Sequence, residues 1–329
     1  MTIEIAASHK ALTDSSPIDF DDPSQLPDFY TTASLGFDLS SLGAKPMEIP
    51  GEYGPEMAMC QMNFPLLVAS VNAAFRGGID YIQLNHNFHT RSDSVSRSEH
   101  RSALLDGAAT GEEIAEMIHE GGLNIELPLD PEIGLCAVDG FLQKFSGTRS
   151  IALTVQTAEE LPLLAKFAKA AAANNLKVIL LSDDVEFLAQ NAAEIASLVD
   201  AVQISKGSIQ QARALRFKLH KFAAKAGRSV KLIVEIGIVI SATLQSANER
   251  AALLTELTHQ PLFEGMTNAI GTVYDVADQV ERIIGIGAAD GILFAPASLP
   301  TDLASVLKGV VPLLRERAKM EVVPPHSMQ

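Results

Sequence analysis

Two short stretches of this chain carry residue types that could do chemistry. The first is Leu84-Asn85-His86-Asn87-Phe88. It ends an apolar run, Ile79-Asp80-Tyr81-Ile82-Gln83-Leu84, so His86 is presented just past a strand. Histidine titrates near neutrality and can serve as general acid, general base or hydrogen-bond donor. His89, one residue past Phe88, reads as a structural histidine. The second is Ser205-Lys206-Gly207-Ser208, which follows another apolar run and opens a helical pattern. Glycine lets the backbone approach a ligand, and lysine at a helix N-terminus favours an anion such as phosphate. The same four residues also read as a capped helix with a solvated lysine.

The remaining polar residues at predicted strand ends are Ser8, His9, Asp130, Gln156, Ser182 with Asp183, Ser241 and, beyond Ala297, Ser298. They include no pair of carboxylates with an acid/base division of labour and no metal-ligand spacing. Asp183 and Asp184 suit helix capping and repel a phosphate.

The elements that must position these residues alternate. Strands are predicted at Ile3–Ala7, Ile79–Leu84, Leu123–Leu127, Ser150–Val155, Leu176–Leu181, Ala201–Ser205, Lys231–Ile240 and Gly291–Ala295. Most are short and continuously apolar, the pattern of parallel strands buried on both faces. Helices are predicted at Asn63–Arg76, from Thr110, at Ala137–Phe145, Ala158–Ala173, Val185–Leu198, Ile209–Ala226 and Ser246–Leu257, from Thr272 to about Ile284, and at Asp302–Ala318. Three have T-x-x-E/D capping boxes: Thr110 with Glu113, Thr157 with Glu160 and Thr272 with Asp275.

Eight strand-helix units give a (β/α)8 TIM barrel, with a doubly wound open sheet as the alternative. No G-x-G-x-x-G follows the first strand, against a dinucleotide-binding sheet. The barrel is expected to span residues 1–320 as one domain, with 321–329 a flexible tail. Two long connections, after the first strand and over Asn85–Ala109, should rise from the face where barrels build their sites.

The 329 residues carry 25 Lys plus Arg against 40 Asp plus Glu, a net charge of −15. So acidic a surface repels phosphate backbones and argues against nucleic-acid binding. No apolar run is long enough to span a membrane, and the N-terminus has no secretory pattern. Cys60 and Cys136 read as reduced cytosolic thiols. A cytoplasmic protein is expected.

The C-terminal third resembles the luciferase-like, flavin-utilising monooxygenases. Three stretches carry the likeness: Val234-Glu235-Ile236-Gly237-Ile238-Val239-Ile240-Ser241 with the Gln245–Leu254 segment; Ile270-Gly271-Thr272-Val273-Tyr274-Asp275-Val276-Ala277-Asp278-Gln279-Val280; and Gly287-Ala288-Ala289-Asp290-Gly291-Ile292-Leu293-Phe294 followed by Pro300–Arg315. Leu84-Asn85-His86-Asn87-Phe88 is similar to the L-E-H-H-F that ends that family's second strand, with His86 on an active-site histidine and Asn87 where the family has a second. The small-residue phosphate loop after the fifth strand is replaced by Leu180-Leu181-Ser182-Asp183-Asp184.

The resemblance implies an enzyme using reduced FMN and O2 on a small organic substrate, with the flavin supplied by a separate reductase. It also implies a homodimer. His86 would be catalytic, and Asn85, Ser182, Lys206, Gly207 and Ser208 would bind the cofactor. A deazaflavin in place of FMN, and a non-catalytic barrel kept for binding or assembly, remain alternatives.

Overall fold

The computed structural model describes residues 3–5, 31–40, 64–86, 106–259, 261–299 and 301–321. Its strands are β1 (Ile3–Ile5), β2 (Thr31–Asp38), β3 (Tyr81–Leu84), β4 (Gly122–Glu126), β5 (Thr148–Thr154), β6 (Lys177–Leu181), β7 (Ala201–Ile204), β8 (Lys231–Ile240), β9 (Asn268–Gly271) and β10 (Gly291–Pro296). Eight of them, β2 to β8 and β10, form a parallel ring in which β2 meets both β3 and β10, and β9 pairs in parallel with β8 outside it. The sheet is therefore a closed barrel, and with helices between the strands the fold is the (β/α)8 barrel.

The helices are α1 (Phe64–Gly77), α2 (Asp106–Met117), α3 (Gly134–Ala137), α4 (Leu161–Ala173), α5 (Val185–Gln190), α6 (Ala192–Leu198), α7 (Ile209–Lys225), α8 (Leu244–Thr258), α9 (Val273–Gly285), α10 (Thr301–Ser305) and α11 (Val311–Glu321).

The first barrel strand is a correction. Ile3–Ile5 is not in the parallel ring; it pairs antiparallel with β2, Ile3 opposite Ala33. The ring position belongs to Thr31–Asp38, which has no continuous apolar run. Its Ala33, Leu35 and Phe37 are fully buried in the core beneath the helices. Ser34, Gly36 and Asp38 alternate with them and so face the barrel axis. The strand-end residues expected after Ile3–Ala7, Ser8 and His9, lie outside the described residues, as do Asn87 and His89.

Three smaller corrections follow from hydrogen bonds. Thr110 lies inside α2 rather than at its cap. The helix expected over Val185–Leu198 is two helices, broken at Asn191. The stretch Ala137–Phe145 is mostly turns after α3. The capping boxes at Thr157 and Thr272 are formed.

The same alternation builds two separate cores. Outward side chains such as Leu123, Ile125, Val202, Ile236 and Phe294 pack under the helices. Tyr81, Ala152, Ile179, Ala201, Ile233 and Leu293 pack together as a plug inside the barrel. Gly36 makes room for it, because a Cβ there would stand 2.2 Å from the Tyr81 ring.

Aspartates at the N-terminal ends of three strands fix the register. Asp80 Oδ2 accepts from Leu35 N at 2.8 Å, Asp200 Oδ2 from Val178 N at 2.9 Å, and Asp290 Oδ2 from Leu232 N at 2.8 Å. In each pair the aspartate's own N–H donates back to the carbonyl of the same partner. Asp290 goes further: its Oδ1 accepts from Arg216 Nε at 2.8 Å and Nη2 at 2.6 Å, and its Oδ2 lies 2.8 Å from His220 Nε2. Burial pushes this carboxyl up, but His220 and Arg216 outweigh it and hold it down at about 2.

Removing one partner from such a buried pair leaves the other charge uncompensated, at a cost of roughly 3–5 kcal/mol. Asp290→Ala is therefore expected to destabilise the fold by that order, measured by urea unfolding at neutral pH. Because the folded carboxyl is depressed, its contribution is full above the ordinary 3.8 and is lost as pH falls through about 2. The difference between wild type and variant should shrink across that window.

Candidate functional site

Where the plug ends, the barrel opens into a cavity of about 240 Å³ at the C-terminal ends of the strands. Its wall includes Gln83 of β3, Thr154 of β5, Leu181 of β6, Gln203 of β7 and Glu235 of β8. Ser182, Asp183 and Ser205 complete it on the β6–β7 side, and Gln156 after β5. These positions follow from the period-two alternation: Gln83, Gln203 and Glu235 stand two residues above Tyr81, Ala201 and Ile233 of the plug.

On the β3–β5 side, His86 Nδ1 lies 3.3 Å from Glu126 Oε2, an ion-pair distance without a well-aligned hydrogen bond. Glu126 Oε1 accepts from Thr154 Oγ1 at 2.7 Å. Asn85 is set by its backbone N–H, which donates to Ser40 Oγ at 2.9 Å. Contact with Glu126 raises the His86 pKa above its ordinary 6.5 against the opposing effect of burial. Burial pushes Glu126 up, but His86 and Thr154 outweigh it and bring it down. The pair therefore favours imidazolium beside carboxylate.

On the β7–β8 side, Glu235 Oε2 accepts from Gln203 Nε2 at 3.1 Å. Burial, and after it the charge of Asp38, push the Glu235 carboxyl up to about 8. Burial likewise lifts Asp38 to about 6, although Ser40 bonds to it. Glu235 is thus a neutral acid at pH 7, able to donate a proton, while Glu126 is an anion. Two carboxylates with opposite protonation states share one barrel, the arrangement that separates acid from base. Strand-end reading missed both: Glu126, on which β4 ends, falls inside the apolar run expected as Leu123–Leu127, and Glu235 sits within β8. The signal was there: a lone glutamate inside Leu123–Leu127 and inside Val234-Glu235-Ile236 has a reason only if one strand face is polar.

The anion-type residues are brought together, but not as a free cation over a glycine loop. Lys206 Nζ lies 2.9 Å from Asp183 Oδ2, and Ser205 Oγ donates to Asp183 Oδ1. Ser208 caps α7, accepting from Gln211 N at 3.2 Å. Gly207 adopts φ 111°, and the space beside Lys206, Gly207 and Ser208 is about 10 Å³, room for little more than a water. Ser182 lines the main cavity instead. Asp184, not Asp183, is the helix cap, accepting from Glu186 N and Phe187 N at 2.9 Å each.

Several buried polar atoms here have no hydrogen-bond partner: Gln83 Oε1, Gln203 Oε1 and Asn85 Oδ1, with Tyr81 Oη in the plug below. Among the described residues no cluster of three His, Cys, Asp or Glu could hold a metal, and no helix is long and apolar enough to cross a membrane. Cys136 is a free, exposed thiol, and Cys60 lies outside the described residues.

No protein-family model matches the sequence, and no curated protein matches it. The structure does match solved ones. EDTA monooxygenase from Chelativorans sp. BNC1 superposes with a TM-score of 0.64 at 14% identity, over 87% of this chain and 94% of that one. A riboflavin lyase determined with modified FMN and riboflavin gives 0.62 at 11%, over 87% and 92%. The coenzyme F420 dependent tetrahydromethanopterin reductase from Methanopyrus kandleri gives 0.53 at 8%, over 86% and 99%. The chain shares their fold.

The His86–Glu126 contact makes a direct prediction. In Glu126→Gln the imidazole loses the carboxylate that raises it, so its NMR titration midpoint should fall toward or below 6.5. An unchanged midpoint would mean that the pair does not form in solution.

Proposed function

We propose that this protein is a flavin- or deazaflavin-dependent oxidoreductase, acting as a monooxygenase that uses reduced FMN and O2 on a small organic substrate. The observation that carries the reading is His86, held by Glu126, whose partner Thr154 lines the polar barrel cavity. Likeness of fold to flavin and F420 enzymes supports it. A separate reductase supplying the flavin, a homodimer and a cytoplasmic setting belong to the same proposal. Leu253 and Leu257, one turn apart on α8 and more than half exposed, offer apolar surface for the dimer.

The donor set fits one end of the cofactor better than the other. The unpartnered acceptor Asn85 Oδ1 suits an N–H group of a reduced flavin ring. At the phosphate end Lys206 is already neutralised by Asp183. Bound flavin would supply the electrons of the redox step. The chain's own residues would then orient the reactants and move protons. Glu126 holds His86 through Nδ1, leaving Nε2 to exchange a proton with the substrate, and Glu235 keeps a second proton inside the cavity. The plug beneath shuts water out from the N-terminal side of the barrel.

Titration with FMN and with riboflavin, followed by flavin fluorescence, and oxygen uptake with reduced flavin test the reading. His86→Ala should lower turnover by roughly 10²–10⁴-fold while leaving the thermal midpoint within a degree or two. A protein that binds neither flavin nor deazaflavin would not be an oxidoreductase of this kind.

Asp183→Asn should release the Lys206 ammonium and tighten FMN binding by about tenfold, the order expected of one charge-assisted contact. Riboflavin, which has no phosphate, should bind as before. If both ligands respond equally, Lys206 is remote from the phosphate.

A further inference from the structure

Two buried side chains of the cavity wall hold acceptor atoms that no donor reaches. Gln83 and Gln203 are 93% and 97% buried, both line the cavity, and the Oε1 atom of each has no partner. They sit on β3 and β7, which are four strands apart in a ring of eight and so stand on opposite walls. Each lies three residues after a register aspartate, in Asp80-Tyr81-Ile82-Gln83 and Asp200-Ala201-Val202-Gln203. Between them stands Glu235, with one hydrogen bond, from Gln203 Nε2, among the described residues. Asp38 and Glu126 add negative potential. Among the described residues Lys206 is paired with Asp183 and His86 with Glu126, and neither Glu235 nor Asp38 has a cationic partner.

An unpaired buried acceptor costs free energy until a donor reaches it. Two on opposite walls call for a guest with several N–H groups, and a buried carboxyl beside them, Glu235, with no cationic partner among the described residues, calls for positive charge. An alcohol brings one donor and no charge, and a carboxylate brings the wrong charge. We propose that the cavity takes a protonated amine, its ammonium group lying between Gln83 and Gln203 against Glu235. This names a substrate class for the oxidoreductase reading; it rests on that reading for the reaction, while binding is tested apart from it. Burial holds the Glu235 proton in place, and an arriving ammonium is the charge that would let this carboxyl ionise.

The test uses the full chain with n-butylamine hydrochloride, n-butanol and sodium butyrate as probes, at constant ionic strength. Binding is read by calorimetry and by the shift in thermal midpoint. Butylammonium should bind roughly tenfold to a hundredfold tighter than butanol, and butyrate should not bind. Glu235→Gln and Gln83→Met should each weaken the amine by about tenfold or more. Glu116→Gln, which removes the same charge from an exposed pair with Lys144, should not. The selectivity of the unaltered protein stands even if a cavity variant fails to fold. Equal binding of amine and alcohol, no amine binding, or equal loss in Glu116→Gln would overturn the proposal. Flavin titration in parallel separates the two ideas. Amine binding without flavin binding would remove the oxidoreductase reading alone, and flavin binding without amine selectivity would remove this one alone.

Discussion

The register of the parallel ring depends on Asp80, Asp200 and Asp290. Each carboxylate takes the N–H of a residue on the preceding strand of the ring, and its own N–H returns the bond. Each backbone carbonyl then accepts from the strand on the other side: Gly122 N for Asp80, Lys231 N for Asp200 and Ser34 N for Asp290. One aspartate thus ties three strands, and three of them span six of the eight seams. A slip of one residue would exchange every inward side chain for an outward one. It would put Leu and Ile into the cavity and carboxylates under the helices. The chemistry at the top of the barrel is therefore held in place from the bottom.

That separation lets the upper layer be unfavourable for stability. Glu235 and Asp38 are buried carboxylates whose ionisation the fold resists, and Gln83 and Gln203 leave acceptors unpaired. Such groups cost free energy, and the apolar plug and the helix-covered core offset them. At the far end of the helical layer Asp302 does related work. It is fully buried, accepts from Ile240 N and Ser298 N at 3.0 Å each, and meets Arg250 Nη2 at 2.8 Å. It thereby fixes the end of β8 to the chain leaving β10.

Much of this was legible in the sequence. Residues Lys231–Ile240 form a strand over the same ten positions that the apolar run marks, because past the exposed Lys231 both of its faces are buried, with Glu235 partly so. His86 is where the end of an apolar run puts it. Thr31–Asp38 was not legible, because half of it faces the barrel axis and is small or polar. Glu126 was hidden because the apolar run continues past it to Leu127, whereas β4 ends on it. The pairing of Lys206 with Asp183 joins residues on two loops, and no local pattern links them. The resemblance in the C-terminal third rests partly on residues that hold the barrel together: Asp290 is a register aspartate, and Asp302 and Arg250 form the buried pair.

The half-turn relation between β3 and β7 has a further consequence. Two identical amides across a cavity grip a guest without specifying which way round it lies. What distinguishes the two ends is chemistry on other strands: an imidazolium–carboxylate pair with a threonine on the β3–β5 side, an un-ionised acid on β8. Tightness of grip and regiochemistry are thus assigned to different residues. For a guest held there, the amides would set how firmly it is held, and the flanking groups which way round it lies.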